Sequence, residues 1–420
     1  MVFRVGEEWR WFEASNPREG NMNRNRLGML AAVAMPIVAA IAVGCVTRPI
    51  VSGGIPAFAY VANQTDNTVS AYRVALSSGA LVPLAGSPFS TATGPRQSVV
   101  CPSGGFLYVA NGGTNGVSGY KIDLTSGTLT PVPGSPFSGG AGPRGIAIVP
   151  SGQFVYTANR TDNNISGYKV NNSTGALTQV PGSPFALASG DEAQPGPQQL
   201  TVDPTGKFLY VTNHLTGNIA GFTIDTTTGA LTQISGSPFT DQEEVGINIQ
   251  PFGVVVAPSG KFVFVTNHGL STLSVFSADP GTGALTKISG SPFRIEVDDE
   301  DCSANPYGLA IDPEGQYLYV ADNGCGTITV YSINATTGAP TEISGSPFQI
   351  SVGGQDCAAG PNDDSLDPSG SFLYVANSSC ASVAAFTVDA VTGALTPVAG
   401  SPFPAGNSPY GVSISRLPLN

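Results

Sequence analysis

The chain holds 420 residues with 17 basic and 29 acidic side chains, a net charge of −12. An acidic surface argues against nucleic-acid binding, which needs clustered basic groups. Gly and Pro number 53 and 34, and no run combines helical period with helical length, so a helical fold is excluded.

Residues 1–21 carry both tryptophans and read as an upstream extension, with Met22 the start of the protein proper. A basic segment, Met22–Arg26, precedes an apolar stretch from Leu27 to Val43 that ends in Ala42-Val-Gly-Cys45. This is the layout of an export signal over residues 22–44, with Cys45 placed as the lipidated first residue of a bacterial lipoprotein. A plain transmembrane anchor is the alternative, although the stretch is short for a span. The expectation is an extracytoplasmic protein held to a membrane by a lipid. Without residues 1–44 the chain keeps twelve basic and twenty-five acidic residues.

After a linker at 45–57, a repeat takes over. Gly-Ser-Pro-Phe starts at Gly86, Gly134, Gly182, Gly236, Gly290, Gly345 and Gly400, at spacings of 48, 48, 54, 54, 55 and 55 residues. A second marker of the Tyr-Val-Ala-Asn type keeps step, ending at Asn63, Asn111, Asn159, Asn213, Asn267, Asp322 and Asn377. Two markers in lockstep indicate one unit used seven times. Each unit reads as four short strands separated by Gly-, Pro- and Asn-rich turns, as in Gly145–Val149, Phe154–Asn159, Ile165–Val170 and Ala176–Val180. The predicted fold is all-β: a seven-bladed propeller of four-stranded blades over residues 58–415, followed by a tail at 416–420. The first unit lacks its innermost strand, and Pro409–Ser415 matches Pro143–Val149. The C-terminal strand is therefore expected to complete the first blade and close the ring. The recurring Phe of Gly-Ser-Pro-Phe is read as packing between blades, and the recurring Asn as a turn residue bonding local backbone.

Departures from the repeat carry the functional signal. Cys302 and Cys325 are 23 residues apart, as are Cys357 and Cys380, at matching places in adjacent units. Disulfides Cys302–Cys325 and Cys357–Cys380 are predicted, with Cys101 free; a four-Cys zinc site lacks the usual close spacing. Loops between blades, counted from the repeated Phe to the next aligned Pro, hold 5, 5, 11, 11, 12, 12 and 5 residues. The four long ones contain all eleven loop acids: Asp191, Glu192, Asp241, Glu243, Glu244, Glu296, Asp298, Asp299, Glu300, Asp301 and Asp356. They should lie on the face opposite the short, uniform turns. Calcium at Asp298, Asp299 and Asp301 is a weak alternative to no cofactor, since the spacing of a recognised loop is missing.

At the channel mouth, the residue after each aligned Pro reads Arg96, Arg144, Gln198, Phe252, Tyr307, Asn362 and Tyr410. These form the candidate ligand-binding ring, against the bland reading of ordinary variation at a solvent-filled opening. Asp364 replaces the aliphatic residue found at Ile146, Leu200, Val254 and Leu309, and with Asp363 it calls for a partner, which Arg96 or Arg144 could supply. His214 and His268 each follow the repeated Asn; both are candidate catalytic groups, with an incidental surface role as the plainer reading.

The repeats also carry a resemblance. Phe-Leu-Tyr-Val-Ala-Asn at Phe106–Asn111 and Phe372–Asn377, with Asp-Pro-x-Gly before and Thr-Gly-Ala-Leu-Thr after it in several units, resembles the lactonase-like seven-bladed propellers, which include bacterial 6-phosphogluconolactonases. The resemblance covers residues 58–415. It implies a mouth where His, Arg and carboxylate groups activate water, often with a His-Pro-His segment leading into an inner strand. Here the matching segments are Gly94-Pro-Arg96 and Gly142-Pro-Arg144, so the Arg is present and the His is not. Two functions compete. The leading one is a monomeric, lipid-anchored propeller binding a small molecule or protein of the cell envelope on its acidic face. The alternative is a lactone hydrolase with Asp363, Asp364, His214 or His268 as base and Arg96 or Arg144 steadying the oxyanion.

Overall fold

The computed structural model describes residues 57–187, 194–240, 249–297, 302–352, 355–356 and 360–415, with the isolated strands Val2–Val5 and Glu8–Trp11, which pair as an antiparallel hairpin. The export segment, Cys45, Cys357 and the loop acids Asp191, Glu192, Asp241, Glu243, Glu244 and Asp298–Asp301 lie outside the described residues.

Seven antiparallel sheets follow one another, each built from an inner, second, third and outer strand. In blade 3 these are Pro143–Ile148, Phe154–Asn159, Asn164–Val170 and Leu177–Gln179. In blade 1 the chain supplies Ala57–Asn63, Thr68–Val74 and Leu81–Pro83, and the C-terminal strand Pro409–Ile414 pairs with Ala57–Asn63 as the inner strand. Ring closure is thus made by joining the two ends of the propeller.

The repeated motifs owe their identity to specific bonds. In every Gly-Ser-Pro-Phe the Ser Oγ accepts the amide of the third strand, as Ser87 does from Ala71 and Ser135 from Gly119, each at 2.9 Å. The following Phe pairs with that same third strand, as the first residue of a two-residue strand in six blades, such as Phe185 opposite Ile165, and as a single bridge from Phe239 to Ile219 in blade 4. These phenylalanines are half-buried and pack onto clusters shared by neighbouring blades, such as Phe89 beside Tyr60, Ala71, Val109 and Tyr120.

The seams between blades repeat a second device. A tyrosine in the second strand donates to a glycine carbonyl in the next blade's outer turn: Tyr60 to Gly127, Tyr108 to Gly175, Tyr156 to Gly229 and Tyr210 to Gly283, at 2.8–2.9 Å. Tyr374 donates to Gly79 at 2.9 Å and so ties blade 7 to blade 1. The glycine is required twice over, by its positive φ (+77° at Gly127) and because an added Cβ would sit 2.3 Å from the Phe58 ring. Blade 5 has Phe264, fully buried, where the others have tyrosine. Phe264→Tyr is expected to add the missing bond to the Gly338 carbonyl and to stabilise the fold by about 1 kcal/mol, read as a raised melting temperature.

The repeated asparagine does something other than the sequence suggests. It is buried in all seven blades, counting Asp322, and in several of them it bonds side chains five and seven residues on, with Asn111 also bonding the Val109 carbonyl. Asn159 Nδ2 donates to Asn164 Oδ1 and Ser166 Oγ, both at 2.8 Å, and Asn267 Nδ2 to Thr272 and Ser274 at 3.0 and 2.6 Å. The position is enclosed by the loop entering its own blade, so a side chain there must find its partners inside.

Cys302–Cys325 is a disulfide with its Cα atoms 5.5 Å apart, and it links the loop entering blade 6 to the loop between that blade's second and third strands. Cys380 is disulfide-bonded and Cys101 is free and buried.

Candidate functional site

Two rings of residues meet at the channel mouth. The first is the ring that follows the aligned Pro. Four of its members, Gln198, Phe252, Asn362 and Tyr410, are buried, so this mouth is lined rather than open. The second ring follows the repeated Asn: Gln64, Gly112, Arg160, His214, His268, Asn323 and Ser378. In most blades its backbone amide bonds the carbonyl of the residue before the aligned Pro, as Arg160 does with Gly142 and His268 with Gln250. That bond brings each second-ring side chain beside the first ring, where Arg160 reaches Gln198 and Asn323 reaches Asn362 in the following blade. Arg160 was the residue missed in the sequence. Its position in line with His214 and His268 was the available signal.

Arginine dominates one half of the mouth. Arg144 and Arg160 both donate to Gln198 Oε1, at 3.2 and 2.6 Å, and Gln198 Nε2 donates to Tyr410 Oη at 3.1 Å. The Arg96 guanidinium lies 4.8 Å from the centroid of the Tyr410 ring. Burial, then the charge of Arg96, lowers Arg144 to about 10, and burial lowers Arg160 as well. These arginines, with Gly112, Gly142, Thr161, Gln194 and Leu215, line a cavity of about 330 Å³.

Aromatic rings and the two histidines form the other half. Phe252 and Tyr307 lie 4.0 Å apart between centroids, and His268 meets Tyr307 edge-on at 5.1 Å. His214 lies 6.2 Å from Phe252 and 6.4 Å from His268. Burial and then the charge of Arg160 push His214 down to about 4, and burial lowers His268, so both imidazoles are neutral at pH 7.

The two histidines differ in what they can offer. His214 Nδ1 is enclosed and has no hydrogen-bond partner. His268 Nδ1 lies 3.0 Å from Gln250 Oε1, an acceptor only, so Nδ1 carries the proton and Nε2 keeps its lone pair. Nε2 of this half-buried ring is not among the enclosed, unpartnered atoms and is accessible. Gln250 has φ +50°, at a place where blades 2, 3 and 4 use Gly94, Gly142 and Gly196. A side chain retained in this left-handed conformation is the one that orients His268.

The carboxylates do not join the arginines. Asp363 Oδ2 accepts the Val412 amide at 3.2 Å and Oδ1 faces Gln97 at 3.5 Å, so it caps the neighbouring inner strand as Gln199 does for Val254. Burial pushes Asp363 up to about 7. Asp364 takes the place of an aliphatic residue in the seam between blades 6 and 7. Neither of its oxygens has a hydrogen-bond partner, and Oδ1 lies where a Cβ at Gly308 of blade 6 would come within 2.9 Å of it. The groups that raise it are Asp363 and Asp322, after burial itself. The expected pairing of Asp363 or Asp364 with Arg96 or Arg144 is therefore wrong. The inner strand starts with an irregularity in register, between Pro361 and Asp363 here and between Pro143 and Ile146 in blade 3; past it Asp363 lies beside Gln97 and Val412, and Asp364 faces Gly308 of blade 6.

Comparison with known proteins places these features. The match to the curated relatives is partial. Hydrazine synthase subunit beta of Kuenenia stuttgartiensis is 26% identical over 202 residues, 43% of this chain and 51% of that protein. The 6-phosphogluconolactonase of Pectobacterium carotovorum is 25% identical over 164 residues, 37% of this chain and 46% of that protein. The chain thus spans about half the length of the curated relatives it matches. Among solved structures, the periplasmic gluconolactonase of Pseudomonas aeruginosa superposes with a TM-score of 0.70 at 15% identity, over 86% of this chain and 100% of that one, a likeness of fold alone. The family described as lactonase, 7-bladed beta-propeller, matches residues 55–190 and 185–358, and the chain belongs to that family.

Proposed function

We propose that the protein is a lactone hydrolase working at the channel mouth, with His268 as general base and the arginine cluster holding the negative charge of the reaction. The observation that carries this reading is His268: neutral, pinned through Nδ1 by Gln250, accessible at Nε2, and on the same mouth as Arg96, Arg144 and Arg160. Tyr307 links the two halves, since its ring meets His268 and its hydroxyl feels Arg144, Arg96 and Arg160. Among the candidate bases named from the sequence, His268 is the one whose Nδ1 is fixed by a neighbour, and this supports hydrolysis over binding alone. Membership of the lactonase family and the likeness to a 6-phosphogluconolactonase support it.

In this mechanism His268 Nε2 takes a proton from water as the water oxygen attacks the lactone carbonyl carbon. The charge that develops on the carbonyl oxygen is met by fixed guanidinium donors in a partly dry site, where they need no reorganisation. The ring C–O bond then breaks, the leaving oxygen takes the proton back from His268, and a hydroxy acid leaves. The Cys302–Cys325 disulfide supports an oxidising compartment, as the export segment does.

The test is acid release by the full chain from a panel of sugar lactones. Turnover is expected, with Arg144→Ala lowering kcat/KM roughly tenfold; that is less than removal of a lone oxyanion donor would cost, because Arg96 and Arg160 remain. Failure to open any lactone faster than buffer would overturn the reading.

A further inference from the structure

Gln198 is buried and makes three hydrogen bonds at the centre of the arginine cluster. We propose that it is the positioning residue that builds an oxyanion-binding site from Arg96, Arg144 and Arg160 while leaving their charge uncompensated. The inference rests on the lactonase reading for its role in turnover, and on geometry alone for anion binding.

An amide is suited to this work by its two ends. Its carbonyl oxygen has two lone pairs and accepts one N–H from each of two guanidiniums, Arg144 and Arg160. Its NH2 end reaches Tyr410 Oη, and Tyr410 in turn lies under the Arg96 guanidinium. The orientation is set by the donors, since a reversed amide would point N–H groups at two guanidiniums. A glutamate in the same place would satisfy the same geometry and would also neutralise the cations it aligns.

Three features show that the charge is held in reserve. Among the described residues, the groups that act on Arg144 are Arg96, Arg160 and Tyr410, with no carboxylate. For Arg160 they are Tyr410, Arg96 and Tyr307, again with no carboxylate. Asp363 accepts from the Val412 amide and faces Gln97, and Asp364, without a partner, is held well above the usual carboxylate range by burial, Asp363 and Asp322, so neither offsets the guanidinium charge. Like charges gathered in a partly buried cavity repel one another, and that repulsion is relieved by an anion entering the 330 Å³ space they line. Guanidinium N–H groups left over from Gln198 present the flat, paired donors that suit carboxylate and phosphate oxygens alike. The hydroxy acid made by opening a lactone carries one such carboxylate.

Inorganic phosphate and gluconate serve as probes for the two kinds of anion, with binding to the full chain measured by calorimetry. The wild-type chain is expected to bind at least one. Gln198→Glu is expected to weaken that binding at least tenfold, and Gln198→Met to weaken it through loss of alignment. A second readout separates charge from shape. Phenylglyoxal attacks uncharged guanidine, so Arg144 should be modified faster than exposed arginines at pH 9, and Gln198→Glu should abolish that advantage while Gln198→Met should not. Unchanged anion affinity and unchanged Arg144 reactivity in Gln198→Glu would overturn the proposal, as would a wild-type chain that binds neither anion. Lactone turnover measured in parallel keeps the readings apart. Anion binding lost in the variant, with a wild type that opens no lactone, removes the hydrolase and keeps the site. Turnover with anion affinity indifferent to Gln198 removes the site and keeps the hydrolase.

Discussion

Asp364→Leu is expected to raise the stability of the propeller, and to raise it more at pH 8 than at pH 4. Asp364 is 5% exposed and faces Gly308 of blade 6, with no partner for either oxygen. The corresponding residues of other blades, Leu200 and Leu309, belong to the packed clusters of their own seams. An unsatisfied buried polar group costs roughly 1–3 kcal/mol even when it is neutral. Burial, Asp363 and Asp322 hold its carboxyl well above the usual 3.8. The unfolded chain therefore releases this proton near pH 4, while the folded chain keeps it to far higher pH. Stability contributed by the proton is complete below the unfolded value and falls as pH rises from there through the folded value. Asp322, raised to about 7, adds a fall of the same sign between about pH 4 and 7. His214 and His268, both lowered, add stability as pH rises toward 6.5, the opposite sign, so the comparison must be made between variants at each pH. The gain should be roughly 1–3 kcal/mol at pH 4 and larger at pH 8. Asp364→Asn should flatten the pH dependence while keeping part of the polar cost. Thermal melts from pH 4 to 9 decide the matter, and a gain that does not grow with pH would contradict it.

This seam shows where the sequence was readable and where it was not. Blade number, strand order and closure by Pro409–Ile414 depend on packing units repeated seven times, so each was stated many times over. The disulfide Cys302–Cys325 was legible because its two positions recur in register in the next blade. That Asp364 was anomalous could also be seen, since it breaks an aliphatic column. Where it points could not. Alternation assigns faces along a regular strand, and the register shift after Pro361 breaks the alternation just where the mouth begins.

The site itself was half legible for a related reason. Arg96, Arg144, Gln198 and Tyr410 were found by reading around the ring at one repeat position, and the structure brings them together. Arg160 sits on a different strand end of blade 3 and enters the cluster only because the second-ring side chain crosses to the next blade. No single-blade pattern contains that crossing. The partners of the repeated Asn were hidden for a simpler reason: residues five and seven positions on come beside it only when the second and third strands of its own blade pair.

On the lactone that the wild-type chain opens fastest, His268→Gln should lower kcat by roughly 10²–10⁴ while changing KM little, as removal of a general base does. The pH profile carries the sharper statement. A base must be uncharged to accept a proton, and burial lowers His268 from its ordinary 6.5. Activity should therefore rise on the acid side with an apparent pKa below 6.5 and stay level through neutrality. Gln250→Leu removes the acceptor that fixes the Nδ1–H tautomer, so half of the geometry is lost while the ring remains. It should cost roughly 10- to 100-fold, in line with the loss of other orienting partners of catalytic or metal-bound imidazoles. His214→Gln is the control: its Nδ1 is enclosed and its ring packs against Phe252, so its loss should alter kcat far less than His268→Gln does. If His214→Gln abolishes turnover and His268→Gln does not, the base is the other imidazole. In that case the enclosed Nδ1 must open during the reaction, through movement of the His214 ring against Phe252.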